Sequence, residues 1–83
     1  MSARDERNPV DVALGKSVGS AIALSSIPFD EICSAVSLSP KVMDRRLSGS
    51  TSFSSVEVVQ LAIFLNMPVS DLIADSFEAA VTS

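Results

Sequence analysis

The chain is expected to be all-helical, with five short helices around one core, and three observations lead there. Apolar residues recur at helical spacing in short blocks, and breakers or capping residues separate the blocks. With three glycines and no Asn-Gly or Asp-Gly pair, no β-hairpin signal lies between them. Eighty-three residues, 47% apolar but only 5% aromatic, can bury one small core and are too few for a two-domain enzyme with a cleft between its halves.

The first helix is predicted to start at Asn8-Pro9, with Asn8 as N-cap, Pro9 at the first helical position and Asp11 near the positive end of the helix dipole. Val10, Leu14, Val18, Ala21 and Ile22, continuing toward Ser25, keep one face. Gly15 and Gly19 each weaken this helix by roughly 1 kcal/mol relative to Ala, which points to another backbone lying close to them. The second helix opens in Ser26-Ile27-Pro28-Phe29-Asp30-Glu31, buries Ile32, Ala35 and Val36, and ends near Ser37. The third restarts after a three-residue connection with Ser39 as N-cap before Pro40, turns Met43 and Leu47 inward, and stops at Gly49. Two short helices joined so tightly form a helix-turn-helix unit.

Gly49 to Ser55 reads as a polar loop anchored in the core by Phe53. The fourth helix, Val56 to about Asn66, is made apolar on most sides by Val56, Val59, Ala62, Ile63 and their neighbours, and is therefore central. Met67-Pro68-Val69 breaks the chain, Ser70 with Asp71 caps a fifth helix carrying Leu72, Ile73 and Phe77, and Ala79 to Ser83 is expected to fray. The predicted core is Leu14, Val18, Ile32, Val36, Met43, Leu47, Phe53, Val59, Ile63 and Leu72. The predicted organisation is a flexible arm over 1–8, one domain over 9–75 and a tail over 76–83.

Composition narrows the chemistry. Without His, Trp or Tyr and with one Cys, the chain lacks the usual general base, a His/Cys metal cage and a disulfide of its own. Its many serines read as caps and surface, since nothing activates a hydroxyl. The reading is therefore a non-enzyme with no cofactor and no small-molecule substrate. Met1 to Asn8 is too charged for a secretory signal, and the longest apolar run, Leu61 to Leu65, is too short to cross a bilayer. A soluble cytoplasmic protein without a membrane partner is expected, with Cys33 as a small core residue in a reducing compartment.

Net charge is −4, unlike the basic balance usual in nucleic-acid-binding proteins, but the distribution is two-ended. All six bases, Arg4, Arg7, Lys16, Lys41, Arg45 and Arg46, lie within residues 1–46, whereas residues 47–83 hold four acids and no base.

The segment Ile27-Pro-Phe-Asp-Glu-Ile-Cys-Ser-Ala-Val-Ser-Leu-Ser-Pro-Lys-Val-Met-Asp-Arg-Arg-Leu-Ser-Gly49, followed by Leu65-Asn-Met-Pro-Val-Ser-Asp-Leu-Ile73, resembles the Cro/C1-type (Xre-like) helix-turn-helix DNA-binding family over about Val10 to Ala74. The resemblance implies a compact five-helix lambda-repressor-like domain. Cys33 stands where the family usually has Ala, Ser37 where Gly usually makes the turn, and Pro28-Phe29 where a polar pair often meets phosphate.

The resemblance makes the third helix the recognition helix. Lys41, Asp44, Arg45 and Ser48 would then face base edges, Lys41 or Arg45 meeting guanine and Asp44 either accepting from a cytosine amine or orienting Arg45. Arg46, Ser39, Ser50, Thr51, Ser52 and Lys16 would meet phosphate. The alternative for the cations is an ordinary solvated helix face. The function implied is that of a Cro-like repressor binding double-stranded DNA as a symmetric dimer. Separately, 83 residues at 47% apolar cannot hide all their apolar surface, which predicts a homodimer patch near the fifth helix and the tail with Leu72, Ile73, Phe77 and Val81. The competing function is a protein-interaction module on the same architecture, favoured by the acidic net charge and by Phe29.

Overall fold

A computed structural model describes residues 8–82 of the chain as five helices, with no strand among the described residues. These are α1 (Pro9–Leu24), α2 (Phe29–Ala35), α3 (Pro40–Ser48), α4 (Ser55–Leu65) and α5 (Val69–Thr82). Apart from Asn8, the expected N-terminal arm lies outside the described residues.

Local chemistry sets most boundaries. Asn8 Oδ1 accepts from the Val10 amide at 2.8 Å and Ser39 Oγ from the Val42 amide at 3.2 Å, so α1 and α3 begin at side-chain caps followed by proline. Pro28 occupies the cap position of α2 with no side-chain bond of its own. The end of α2 comes before the expected Ser37. Ser37 has φ +59, its amide bonds to the Ser34 carbonyl, and the Leu38 amide reaches back to Cys33 at 2.9 Å. That is a Schellman closure, with serine in the left-handed position where glycine is usual.

Gly49 closes α3 with φ +86 and is itself buried. A Cβ there would lie 2.7 Å from a methyl of Val12 and 2.9 Å from its Cα, so both conformation and space require glycine. The start of α4 is fixed by a reciprocal capping box: Ser54 Oγ accepts from the Glu57 amide, and Glu57 Oε1 accepts from the Ser54 amide at 3.0 Å. α4 ends at Asn66, also left-handed, with φ +58.

α5 begins earlier and ends later than the sequence pattern indicates. The Asp71 and Leu72 amides bond to the Pro68 carbonyl, which puts Ser70 inside the helix rather than at its cap. The helix continues to Thr82, across the tail expected over 76–83, and Ser76 is buried within it with its hydroxyl on the Ile73 carbonyl.

α1 packs along α5 and against α3, while α4 packs on α2 and α5. The core is Leu14, Val18, Ile32, Cys33, Val36, Met43, Phe53, Val58, Leu61, Ala62 and Leu72. Phe53 is the anchor expected of the loop, and Leu47 is half-buried against this cluster. Two expected core residues face outward instead, Val59 at 45% and Ile63 at 74% exposure. The helix is apolar on most sides, so its periodicity gives only a weak phase; contact with α2 and α5 selects the Val58, Leu61, Ala62 and Leu65 side. Leu72, expected in an intermolecular patch, is fully buried, whereas Ile73, Phe77 and Val81 are exposed.

One glycine of α1 sets the α1–α3 distance. A Cβ on Gly15 would run into the Leu47 carbonyl of α3, whereas a Cβ on Gly19 would meet nothing within 4 Å. Close backbone approach therefore explains the first glycine and not the second.

Candidate nucleic-acid interface

α2, the Ser37 turn and α3 bring one exposed strip together. On α3, Lys41, Asp44, Arg45 and Ser48 are all exposed, and helical geometry places them within about 100° of one another around the axis. Met43 is fully buried and Leu47 half-buried on the other side. The strip cannot rotate away, because the buried residues, the Ser39 cap and the Gly49 stop fix the phase of α3. Among the described residues neither Lys41 nor Arg45 is ion-paired. The Ser48 hydroxyl is engaged locally, donating to the Arg45 carbonyl at 3.0 Å and lying 2.9 Å from Ser50 Oγ.

The residues expected at phosphate divide differently. Arg46 is clasped inside the fold: its Nε and Nη2 donate to the two carboxylate oxygens of Glu57 at 3.0 and 3.3 Å, and its Nη1 donates to Thr51 Oγ1 at 3.0 Å. The side chains are only 20% and 15% exposed. The hydrogen bonds from Arg46 hold the Glu57 carboxyl below the usual carboxylate range, and the same bonds push the guanidinium pKa up. The clasp closes α3 onto the start of α4 and neutralises the cation expected to reach out.

Ser52 is likewise engaged, its hydroxyl donating to Asp11 Oδ2 at 2.7 Å and fastening the loop to α1. Ser39 Oγ holds the α3 cap, and the amides of Ser50 and Thr51 donate to the Arg45 carbonyl. Lys16 is exposed on α1 beside Gly15, the residue that meets the Arg46 and Leu47 carbonyls. The exposed cations of the described fold are thus Lys16, Lys41 and Arg45.

Glu57 is the partner of Arg46 that the sequence pattern did not single out, although a signal for its role at the start of α4 was there: Ser54-Ser-Val-Glu57 has the capping-box spacing. Cys33 is buried, and loss of solvent, with smaller contributions from Asp30 and Asp44, pushes its thiol up, away from thiolate reactivity. No group of His, Cys, Asp and Glu able to hold a metal ion occurs among the described residues. No helix among them is long and apolar enough to cross a membrane.

Comparison with protein-family models, with curated proteins and with solved structures finds no match to this chain.

Proposed function

We propose that the chain is a lambda-repressor-like, sequence-specific DNA-binding regulator. It reads the major groove of an operator with α3 as a cytoplasmic homodimer, and it needs no cofactor. The observation that carries the reading is the α3 strip: two exposed cations one turn apart, unpaired among the described residues and flanked by Asp44 and Ser48, on a short helix whose phase is locked from behind. Arg45 is long enough to give a bidentate contact to guanine and Lys41 to give a single one. With Arg46 neutralised by Glu57, phosphate attraction falls to Lys16 and the strip's own cations. Non-specific affinity is accordingly weak, and specificity rests on few contacts. The acidic half, residues 47–83, suits the side turned away from DNA, where repulsion is most screened.

The test is selection of bound sequences from a random duplex pool, followed by affinity at several salt concentrations. A recovered consensus with salt-dependent affinity supports the reading, and indifference to every duplex overturns it.

A second reading, a protein-interaction module on the same architecture, is favoured by one observation. The solvent side of α4 is apolar, with Val56, Val59, Ile63 and Phe64 exposed. Retention on heparin at low salt, lost as salt rises, separates the two functions.

A further inference from the structure

Thr51 is exposed in the loop after α3, yet it bonds to both arginines of that helix's last turn. Its amide donates to the Arg45 carbonyl at 3.3 Å, and its Oγ1 accepts from Arg46 Nη1 at 3.0 Å. Arg46 is itself held, with Nε and Nη2 on the Glu57 carboxylate. Glu57 Oε1 also accepts from the Ser54 amide at 3.0 Å, in the capping box that starts α4. A continuous run of hydrogen bonds thus leads from the start of α4 through Glu57, Arg46 and Thr51 to the main chain of Arg45.

We infer that Thr51 is a positioning residue for base reading by Arg45: it fixes the last turn of α3, and with it the root of the Arg45 side chain, instead of meeting phosphate. The inference rests on the proposed reading of α3 and names what sets its specificity. The last turn needs such support. α3 is nine residues long and ends three residues beyond Arg45, and helix ends are where fraying begins. The Arg45 carbonyl also accepts from the Gly49 and Ser50 amides and from the Ser48 hydroxyl, more donors than two lone pairs serve well. At 3.3 Å against 3.0 Å for Ser50, the Thr51 amide makes the longer approach of the two, a weak bond when taken alone. The Thr51 side chain keeps that amide in place, because its partner is a guanidinium already fixed by a charge-assisted fork.

Placement decides what Arg45 can do. A bidentate contact to a guanine edge is directional, and such geometry holds only within about 0.5 Å, whereas the attraction of the same cation to a phosphate falls off slowly with distance. Loosening Thr51 therefore costs the operator and spares random DNA. A direct phosphate contact from Thr51 would weaken every duplex alike.

The experiment is a double-mutant cycle between Thr51 and Arg45 in the full chain, read by fluorescence anisotropy on the selected operator and on a random duplex, with circular dichroism of each variant. Thr51→Val keeps the shape and removes the hydroxyl. It is expected to bind the operator about three- to tenfold more weakly, the worth of one hydrogen bond, with random-duplex affinity and helix content unchanged. Thr51→Ser, which restores the hydroxyl, is expected to bind as wild type does. In an Arg45→Ala background Thr51→Val is expected to cost nothing further, because the residue it positions is gone. A loss that persists without Arg45, a loss shared equally by the random duplex, or no loss at all overturns the positioning role and leaves the DNA reading standing. A wild type that binds no duplex overturns that reading and the inference with it.

Discussion

The same substitution one turn apart on α1 should have opposite effects. Gly19→Ala replaces the poorest ordinary helix former with the best, gaining about 1 kcal/mol, and the new methyl meets nothing within 4 Å. For a domain of this size that is an increase of about 4–8 °C in Tm. Gly15→Ala has the same intrinsic gain, but its methyl would collide with the Leu47 carbonyl, lie 2.8 Å from the Leu47 carbonyl carbon and 3.0 Å from the Arg46 carbonyl oxygen. All three are backbone atoms of α3, which no rotamer change can clear. Overpacking costs about 1–3 kcal/mol, and the upper part of that range applies when the obstacle is rigid. The net effect is a loss of about 1–2 kcal/mol, a clear fall in Tm. Thermal melts followed by far-UV circular dichroism read both variants, and the effect on the unfolded chain is alike in the two and cancels in the comparison. A Gly15→Ala protein that melts at or above wild type would show that α1 does not cross α3 at this residue.

Arg45→Ala should lower affinity for the selected operator by about 1–3 kcal/mol and leave random-duplex binding nearly unchanged, measured by fluorescence anisotropy. Arg46→Ala, contrary to what a free phosphate contact requires, should leave the slope of log affinity against log salt within about half an ion of wild type, while lowering Tm because the Glu57 carboxylate loses its partner. Because the Glu57 carboxyl is held below its ordinary value of about 4.3, its stabilisation is full above that pH and is lost as pH falls through the lowered value. Acid titration of Tm should therefore be flatter in Glu57→Gln than in wild type. Ser37→Gly should raise stability by about 0.5–1 kcal/mol by relieving a serine at φ +59, and an unchanged melt would count against the left-handed turn.

Local chemistry was legible and spatial chemistry was not. Asn8, Ser39 and Gly49 mark helix ends through bonds to residues two to four positions away, so their side-chain type and neighbours suffice to identify them. Arg46 could be placed on the flank of α3 from its position, but its partner lies eleven residues on, across a loop. Nothing in a cationic helix pattern says that a carboxylate will fold back onto it. The exposed strip of Lys41, Asp44, Arg45 and Ser48 follows from Met43 and Leu47 alone, because in a short amphipathic helix the buried pair fixes the opposite side.

By itself, then, the sequence determined five helices, three of their caps and stops, the tight connection between α2 and α3, and the outward strip of α3. Each of these depends on residues within one or two turns of one another. Tertiary structure decided the phase of α4, turning Val58 and Leu61 inward and leaving Val59 and Ile63 outside; a helix apolar on most sides has little preference for one face until its neighbours occupy it. It decided that Gly15 and not Gly19 is where two backbones meet, since one glycine differs from another in what lies across from it. It also decided that the Arg46 charge is held inside the fold, because whether a guanidinium faces water or a carboxylate depends on which helix end is brought to it.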